Sequence, residues 1–403
     1  MRILFICHRF PYPPARGGKI RPFNIIRHLQ REHDVTVASL IRSAQEEREG
    51  RGLAAHCSRI LAEPISTPAA LARMVSRLPT LAPSSMGYFH SPRLARRIRQ
   101  EIQRTRFDLI FVHCAFMAPY AADVQGPRKL LDFGDMDSQK WLTYARVRSF
   151  PLSAGYYLDG VKLRRAEARL AKRFHMCTCT TRAEMDTLAG YRVDVPLGWF
   201  PNGVDVEYFK PTGKPYDPEQ ITFTGRMDYY PNQEGMIDFC HTVLPALRAR
   251  RSGVKLTIVG ANPSSAVRKL AALPGVTVTG SVPDVRPFLE SGAVAVAPLR
   301  IARGTQNKIL EAMAMGVPVV AHTAAMGGVD AVPGRDLLAA SAPQEFVETL
   351  LRLLADRGER MRFAAAGRAR ILSHHTWPRS MDALDRIIGG VMAGEGQTAA
   401  RPA

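Results

Sequence analysis

The feature that most restricts what this chain can fold into is a series of short apolar, β-branched runs with no polar alternation. In the first half they cover residues 2–7, 35–40, 107–113 and 129–133. In the second they cover 220–225, 255–260, 276–280, 293–297 and 317–321. A strand solvated on one face alternates, so runs apolar throughout suit strands covered on both faces. Helix-length stretches separate them: one through Phe23–Leu29, one from about 232 to 250, one centred on 308–314 and three within 344–390. Strands alternating with helices predict βαβ units and a parallel sheet, here twice over. At 403 residues the chain also exceeds the roughly 250–300 residues at which single cores stop growing. The expected fold class is therefore α/β, with two Rossmann-like, doubly wound parallel-sheet domains at 1–200 and 201–393. The linker falls near Pro201–Asp205. The last helix, about 376–390, is able to pack back on the first domain, and the Gly/Ala/Pro tail 394–403 is expected to be disordered. Such sheets bind ligands at their strand C-termini, and two of them facing each other would frame one large cleft.

Charge narrows the partners. The net charge is +19, and it is unevenly spread. Residues 1–200 hold 32 Lys/Arg against 17 Asp/Glu, and residues 201–403 hold 23 against 19. An anionic partner met by the first half follows: nucleic acid, an anionic membrane leaflet or a phosphate-bearing substrate. Nucleic acid is disfavoured, because no recognition motif is present and aromatic residues do not interleave the charge. Residues 71–78, Arg93, Arg96, Arg97 and Arg99, and 152–174 read as basic amphipathic helices able to lie on anionic lipid. No run approaches the roughly 20 apolar residues that span a bilayer. The N-terminal run reaches His8-Arg9 too soon for a signal-peptide core. A cytoplasmic protein, peripheral on the inner face of the plasma membrane, is the expectation. The six cysteines show no framework spacing, and Cys177-Thr178-Cys179 reads as buried strand.

Candidate chemistry sits at strand-to-helix turns. Gly17-Gly18, flanked by Arg16 and Lys19, follows the first strand and can present N–H groups to a phosphate or be a plain turn. His113 ends the third strand, where it can donate to a sugar hydroxyl. In Thr224-Gly225-Arg226 the glycine leaves room for a ligand and the arginine offers a fork for a diphosphate. The sharpest signal is Arg303-Gly304-Thr305-Gln306-Asn307-Lys308 leading to Glu311. Gly304 and Thr305 open a helix after a strand, so amides and the positive helix end can meet a phosphate. Lys308 and Glu311, three apart on one face, can hold a phosphate and a ribose diol or simply pair with each other. Asp135-Met136-Asp137 has the spacing of a metal pair but lies in the first half, and it reads as a structural or acceptor-contacting turn.

Taken in order, Gly17-Gly18, Pro201-Asn202-Gly203-Val204-Asp205, Thr224-Gly225-Arg226, Lys308–Met315 and Pro318-Val319-Val320 resemble the retaining GT-B glycosyltransferases of family 4. Asp132–Trp141, Gly225–Asn232 and Gly304–Lys308 are most similar to bacterial sugar transferases of exopolysaccharide and exosortase (PEP-CTERM) systems. The resemblance implies an N-terminal domain that binds the acceptor and a C-terminal domain that binds a nucleotide sugar, a UDP-sugar ahead of a GDP-sugar. It implies a lipid-linked or oligosaccharide acceptor, no cofactor and no required metal. By the same likeness Arg226 and Lys308 neutralise the diphosphate and Glu311 holds the ribose. The amides of Gly304 and Thr305 lie near the donor, His113 bonds the donor sugar, and Gly17 and Gly18 contact the diphosphate. Two positions depart from the pattern. The first of two family glutamates falls on Arg303, and the lysine six residues after the Gly-Arg arginine falls on Asn232. The rival readings are a nucleotide-sugar epimerase and a catalytically silent nucleotide-sugar-binding protein.

Overall fold

The computed structural model describes residues 1–14 and 17–394. Arg16 and the tail beyond Gly394 lie outside the described residues. The described residues divide into two compact units, one of Met1–Pro201 with residues 381–394, the other Asn202–Ser380.

The first unit is built on seven parallel strands: β1 (Arg2–Cys7), β2 (Asp34–Ile41), β3 (Arg59–Pro64), β4 (Leu109–His113), β5 (Arg128–Gly134), β6 (Met176–Cys179) and β7 (Leu197–Trp199). Their order is β3-β2-β1-β4-β5-β6-β7. Strand succession reverses at β1, whose neighbours are β2 and β4, so the crevice for a ligand opens beyond the C-termini of β1 and β4. The register sets Cys7 level with His113 and His113 level with Asp132. Every residue of β4 is buried, as are all but the first of β1 and β2. Both sheet faces are thus covered, which is why these runs lack polar alternation. At the centre Phe5 stacks on Phe111 with ring centroids 4.9 Å apart. The helix Trp377–Ala393 meets this unit through Asp385, whose carboxylate lies 2.9 Å from His28 Nε2.

The second unit has six parallel strands: β8 (Asp217–Thr224), β9 (Lys255–Val259), β10 (Val276–Gly280), β11 (Gly292–Ala297), β12 (Val319–His322) and β13 (Leu338–Ala340). The order β10-β9-β8-β11-β12-β13 places the same switch at β8. The chain is therefore α/β with two parallel-sheet domains, as its apolar runs require.

Three strands, β3, β7 and β13, have no counterpart in the sequence reading. β7 and β13 are three residues each and β3 is only partly buried, so none carries a distinct apolar run. The stretch from 232 to 250 is two helices, Tyr230–Thr242 and Leu244–Arg250. Pro245 lacks an N–H and its ring would clash with the carbonyl one turn back, so the first helix stops and a second begins. Among the described residues no helix is long and apolar enough to cross a membrane.

Candidate active site

In the second unit the chain turns at Gly225 as it leaves β8. A Cβ there would lie 2.8 Å from Asn232 Nδ2 and 3.1 Å from Lys308 Cε, so a bare backbone lets two polar side chains close over the strand end. Asn232, in the first turn of Tyr230–Thr242, joins them. Its Nδ2 donates to the Arg226 carbonyl at 2.8 Å, and its Oδ1 accepts from Lys308 Nζ at 3.0 Å. The Lys308 ammonium also reaches Gln306 Oε1 at 3.5 Å and lies 5.5 Å from the Phe223 ring centroid. Where the family resemblance leads one to expect a lysine, an amide instead anchors a lysine from another helix.

Lys308 and Glu311 sit on the helix Asn307–Ala314. The loop before it turns at Gly304, whose φ of 63° is left-handed backbone suited to glycine. The same loop is pressed onto Gly328, where a Cβ would fall on the Gly304 carbonyl and 2.7 Å from Thr305 N. No side chain caps the helix start; Gln306, at the N-cap, turns its amide to the Arg303 carbonyl at 3.0 Å. Uncapped N–H groups form an anion-friendly helix end. Beside them Thr305 Oγ1 and Asn307 Oδ1 are buried without hydrogen-bond partners. Leaving such atoms unpaired costs about 1–3 kcal/mol each, a cost that a bound polar ligand relieves.

The electrostatics agree with this. Burial pushes Lys308 down to about 8 against the pull of Glu311. Burial likewise pushes Glu311 up to about 7, opposed by Lys308. Both groups are thus held near neutral pH and ready to gain from an ionic ligand. Arg226 is engaged by Asp228, its Nε 3.0 Å from Oδ1 and its Nη2 on Oδ2. Sequence reasoning passed over Asp228, although it stands two residues from the arginine. Arg303 is half-buried at the head of the loop.

In the first unit His113 is 5% exposed and its Nδ1 lies 2.8 Å from Asp132 Oδ2. Asp132 is fully buried and also takes Arg21 Nε and Nη2, both at 2.9 Å, and Thr178 Oγ1 at 2.9 Å. Burial would raise this carboxyl, but Arg21 above all, then His113, hold it far below the usual carboxylate range. An ionised carboxylate only accepts, so Nδ1 of His113 carries the proton and Nε2 is left for another partner. Arg21 in turn donates to the Phe200 carbonyl at 3.0 Å and covers the Phe200 ring at 3.7 Å.

His8, directly after β1, was not singled out by the sequence. Its ring centroid is 6.0 Å from that of His113, its Nε2 accepts from Arg9 Nε at 3.1 Å, and its Nδ1 is buried without a partner. Burial, then the charge of Arg9, holds it well below the ordinary histidine value. The one available signal was its position at a switch-point strand end. Gly17 and Gly18 open the helix Gly17–Leu29, and a Cβ on Gly18 would lie 3.0 Å from Arg9 Cδ. Lys19 follows the glycine pair in the same helix. It is buried in an ion pair with Glu46 at 2.7 Å and donates to the Tyr12 carbonyl at 3.3 Å. In the acidic turn, Asp135 accepts from Thr180 Oγ1 at 2.8 Å, while Asp137 opens the next helix and takes Cys114 Sγ at 3.6 Å.

Two family models match the chain in succession. Residues 16–208 match Glycosyltransferase Family 4, and residues 218–356 match Glycosyl transferases group 1. No curated protein matches the sequence significantly. Among solved structures, sucrose-phosphate synthase from Thermosynechococcus elongatus is similar with a TM-score of 0.72 and 15% identity, over 98% of this chain and 100% of that one. HepE of Anabaena in complex with UDP gives 0.69 and 15%, over 97% and 100%; it has also been solved with UDP-glucose. A glycosyltransferase from Rickettsia africae gives 0.65 and 12%, over 97% and 98%. Both parallel-sheet domains, the successive family matches and these likenesses agree: the chain is a glycosyltransferase of GT-B fold, assembled from a family 4 domain followed by a group 1 domain.

Proposed function

We propose that this glycosyltransferase transfers a sugar from a nucleoside diphosphate donor, a UDP-sugar, with retention of anomeric configuration. The observation that carries the reading is the assembly of Lys308, Asn232 and the Arg226 backbone beside the uncapped start of Asn307–Ala314, with Glu311 one turn on. Lys308 and the helix start meet the diphosphate, Arg226 exchanges Asp228 for it, and Glu311 takes the ribose hydroxyls. The amides of Gly304 and Thr305, with Arg303, border the donor. His113 Nε2 is offered to a sugar hydroxyl, and Gly17-Gly18 to the diphosphate. HepE's complexes with UDP and UDP-glucose favour uridine.

Chemistry follows from where charge develops. The bond between the anomeric carbon and the phosphate oxygen breaks, and its electron pair stays on that oxygen. Lys308, Arg226 and the helix amides stabilise the charge there. The acceptor hydroxyl bonds the same face of the anomeric carbon and passes its proton to the leaving oxygen, so no protein nucleophile is required. Fixed cations neutralise the diphosphate without a metal. In this reading the first domain binds a lipid-linked or oligosaccharide acceptor for exopolysaccharide synthesis, at the inner face of the plasma membrane.

The test is calorimetric titration of the whole chain with UDP, GDP, UDP-glucose and GDP-mannose, without added metal. One nucleotide series binding wild type, and binding Lys308→Ala at least tenfold more weakly, supports the assignment. Equal affinities in both proteins would overturn it. Arg303 motivates a second reading, a nucleotide-sugar binder without turnover. Tight donor binding with no transfer or hydrolysis in any acceptor assay would select it.

A further inference from the structure

The first unit carries a clustered apolar surface that its core does not use. Of the large hydrophobic side chains left exposed, Leu71, Val75, Leu78 and Leu81 fall in one short stretch, and Val147, Phe150, Leu152, Tyr157 and Leu158 in another. The two stretches are neighbours in space. Lys162 Nζ donates to the Leu78 carbonyl at 2.7 Å, and the Asp159 carboxylate accepts the Ser84 N–H at 2.6 Å. The helix Leu152–Ala171 thus runs beside the segment that follows Thr67–Ser76. Phe150 and Leu81, each in a connection between helices, are 82% and 85% exposed. Side chains of that size so fully in water, on two neighbouring segments, are of the kind that marks an interaction surface.

Charge decides what would cover it. From residue 65 to 100 and from 138 to 158 there is no Asp or Glu. Arg146, Arg164, Arg165 and Arg169 are exposed around the second stretch, and Arg73 and Arg77 are half-buried in the first. Burial, then the neighbouring Arg73, holds Arg77 below its ordinary value, as expected among like charges. Asp159, directly after the second stretch, is turned onto the backbone N–H groups of Ser84 and Ser85. Exposed apolar tips on acid-free segments, with exposed arginines on the adjoining helices, match the boundary between acyl chains and anionic headgroups. A protein partner for such a patch would have to supply its own acids.

We propose that this face docks on anionic lipid bilayers, with Phe150 and Leu81 entering the acyl boundary and the flanking arginines meeting the headgroups. It gives a definite surface to the membrane location read for this enzyme. It does not depend on the donor chemistry, because none of these residues belongs to the donor site.

The experiment is flotation of the full chain with vesicles of phosphatidylcholine alone, or of phosphatidylcholine with phosphatidylglycerol, at low and high salt. Wild type floats only with the anionic vesicles and is released by salt. The double variant Phe150→Ser, Leu81→Ser loses at least about tenfold in partitioning, while its melting temperature and UDP affinity are unchanged. Equal binding to both vesicle types, or a variant that floats like wild type, overturns the proposal. A patch-dependent dimer in analytical ultracentrifugation, without flotation, reassigns the face to self-association and also overturns it. The UDP titration separates this result from a failure of the donor reading.

Discussion

Lys308 Nζ stands 3.0 Å from Asn232 Oδ1, and the same amide holds the Arg226 carbonyl through its nitrogen at 2.8 Å. One side chain therefore links the turn after β8 to the helix Asn307–Ala314, and sets where the lysine's charge is placed.

Lys308→Ala is expected to lower kcat/KM by about 10²–10³-fold, the usual cost of removing a group aimed at developing charge. Its melting temperature should hold or rise, since a half-buried ammonium is removed. Asn232→Ala should lower activity less, by about tenfold, and cost about 1–2 kcal/mol of stability because it strands two polar partners. Steady-state kinetics and thermal denaturation of the two variants check the order; equal activity of all three proteins refutes it.

Donor affinity should depend on pH in a bell shape. Lys308 keeps its proton below about 8 and Glu311 loses its own above about 7, so both are charged best between those values. Titration of UDP-glucose across this range should show affinity falling on each side. Lys308→Arg should remove the alkaline limb and Glu311→Gln the acid limb. Without ligand both shifts oppose folding. Stability should fall as pH rises from 4.5 to about 7 through Glu311, and recover as pH rises from about 8 towards 10.5 through Lys308.

Asp132→Asn should destabilise the first unit by about 3–5 kcal/mol, because Arg21 stays buried without its counter-charge. The depressed carboxyl contributes stability that is present above its ordinary value of 3.8 and is lost as pH falls through its lowered value. Urea unfolding should therefore show an acid-side decline in wild type that is shallower in the variant. An unchanged midpoint at neutral pH would show that the Arg21–Asp132 pair carries no stability.

Gly328→Ala and Gly327→Ala should part sharply. At 328 the added methyl would fall on the Gly304 carbonyl, whereas at 327 the nearest atom is Ala324 O at 4.0 Å. Overpacking of this kind costs about 1–3 kcal/mol, and here it displaces the loop at the helix start. UDP-glucose affinity should drop about tenfold in the first variant and stay at wild-type level in the second. Matching affinities would detach that loop from donor binding.

Residue order alone determined the α/β class, two domains, the parallel strands and the turns at Gly225 and Gly304. Each of these follows from local pattern: unbroken apolar runs, strand–helix alternation, glycine where the chain must turn. Lys308, Glu311 and Arg226 were also recognisable, as charged residues at strand-to-helix turns. Tertiary structure decided what those residues touch. Arg21 meets Asp132 across 111 residues and Lys308 meets Asn232 across 76; no periodicity encodes contacts made by crossovers that bring distant strand ends level. The engagement of Lys19 by Glu46 and the place of His8 beside His113 were invisible for the same reason. So was the joining of two acid-free segments into one apolar face. Sequence pattern settles which residues are strand and helix, but side-chain partners are chosen by packing, where burial makes each unpaired polar group costly.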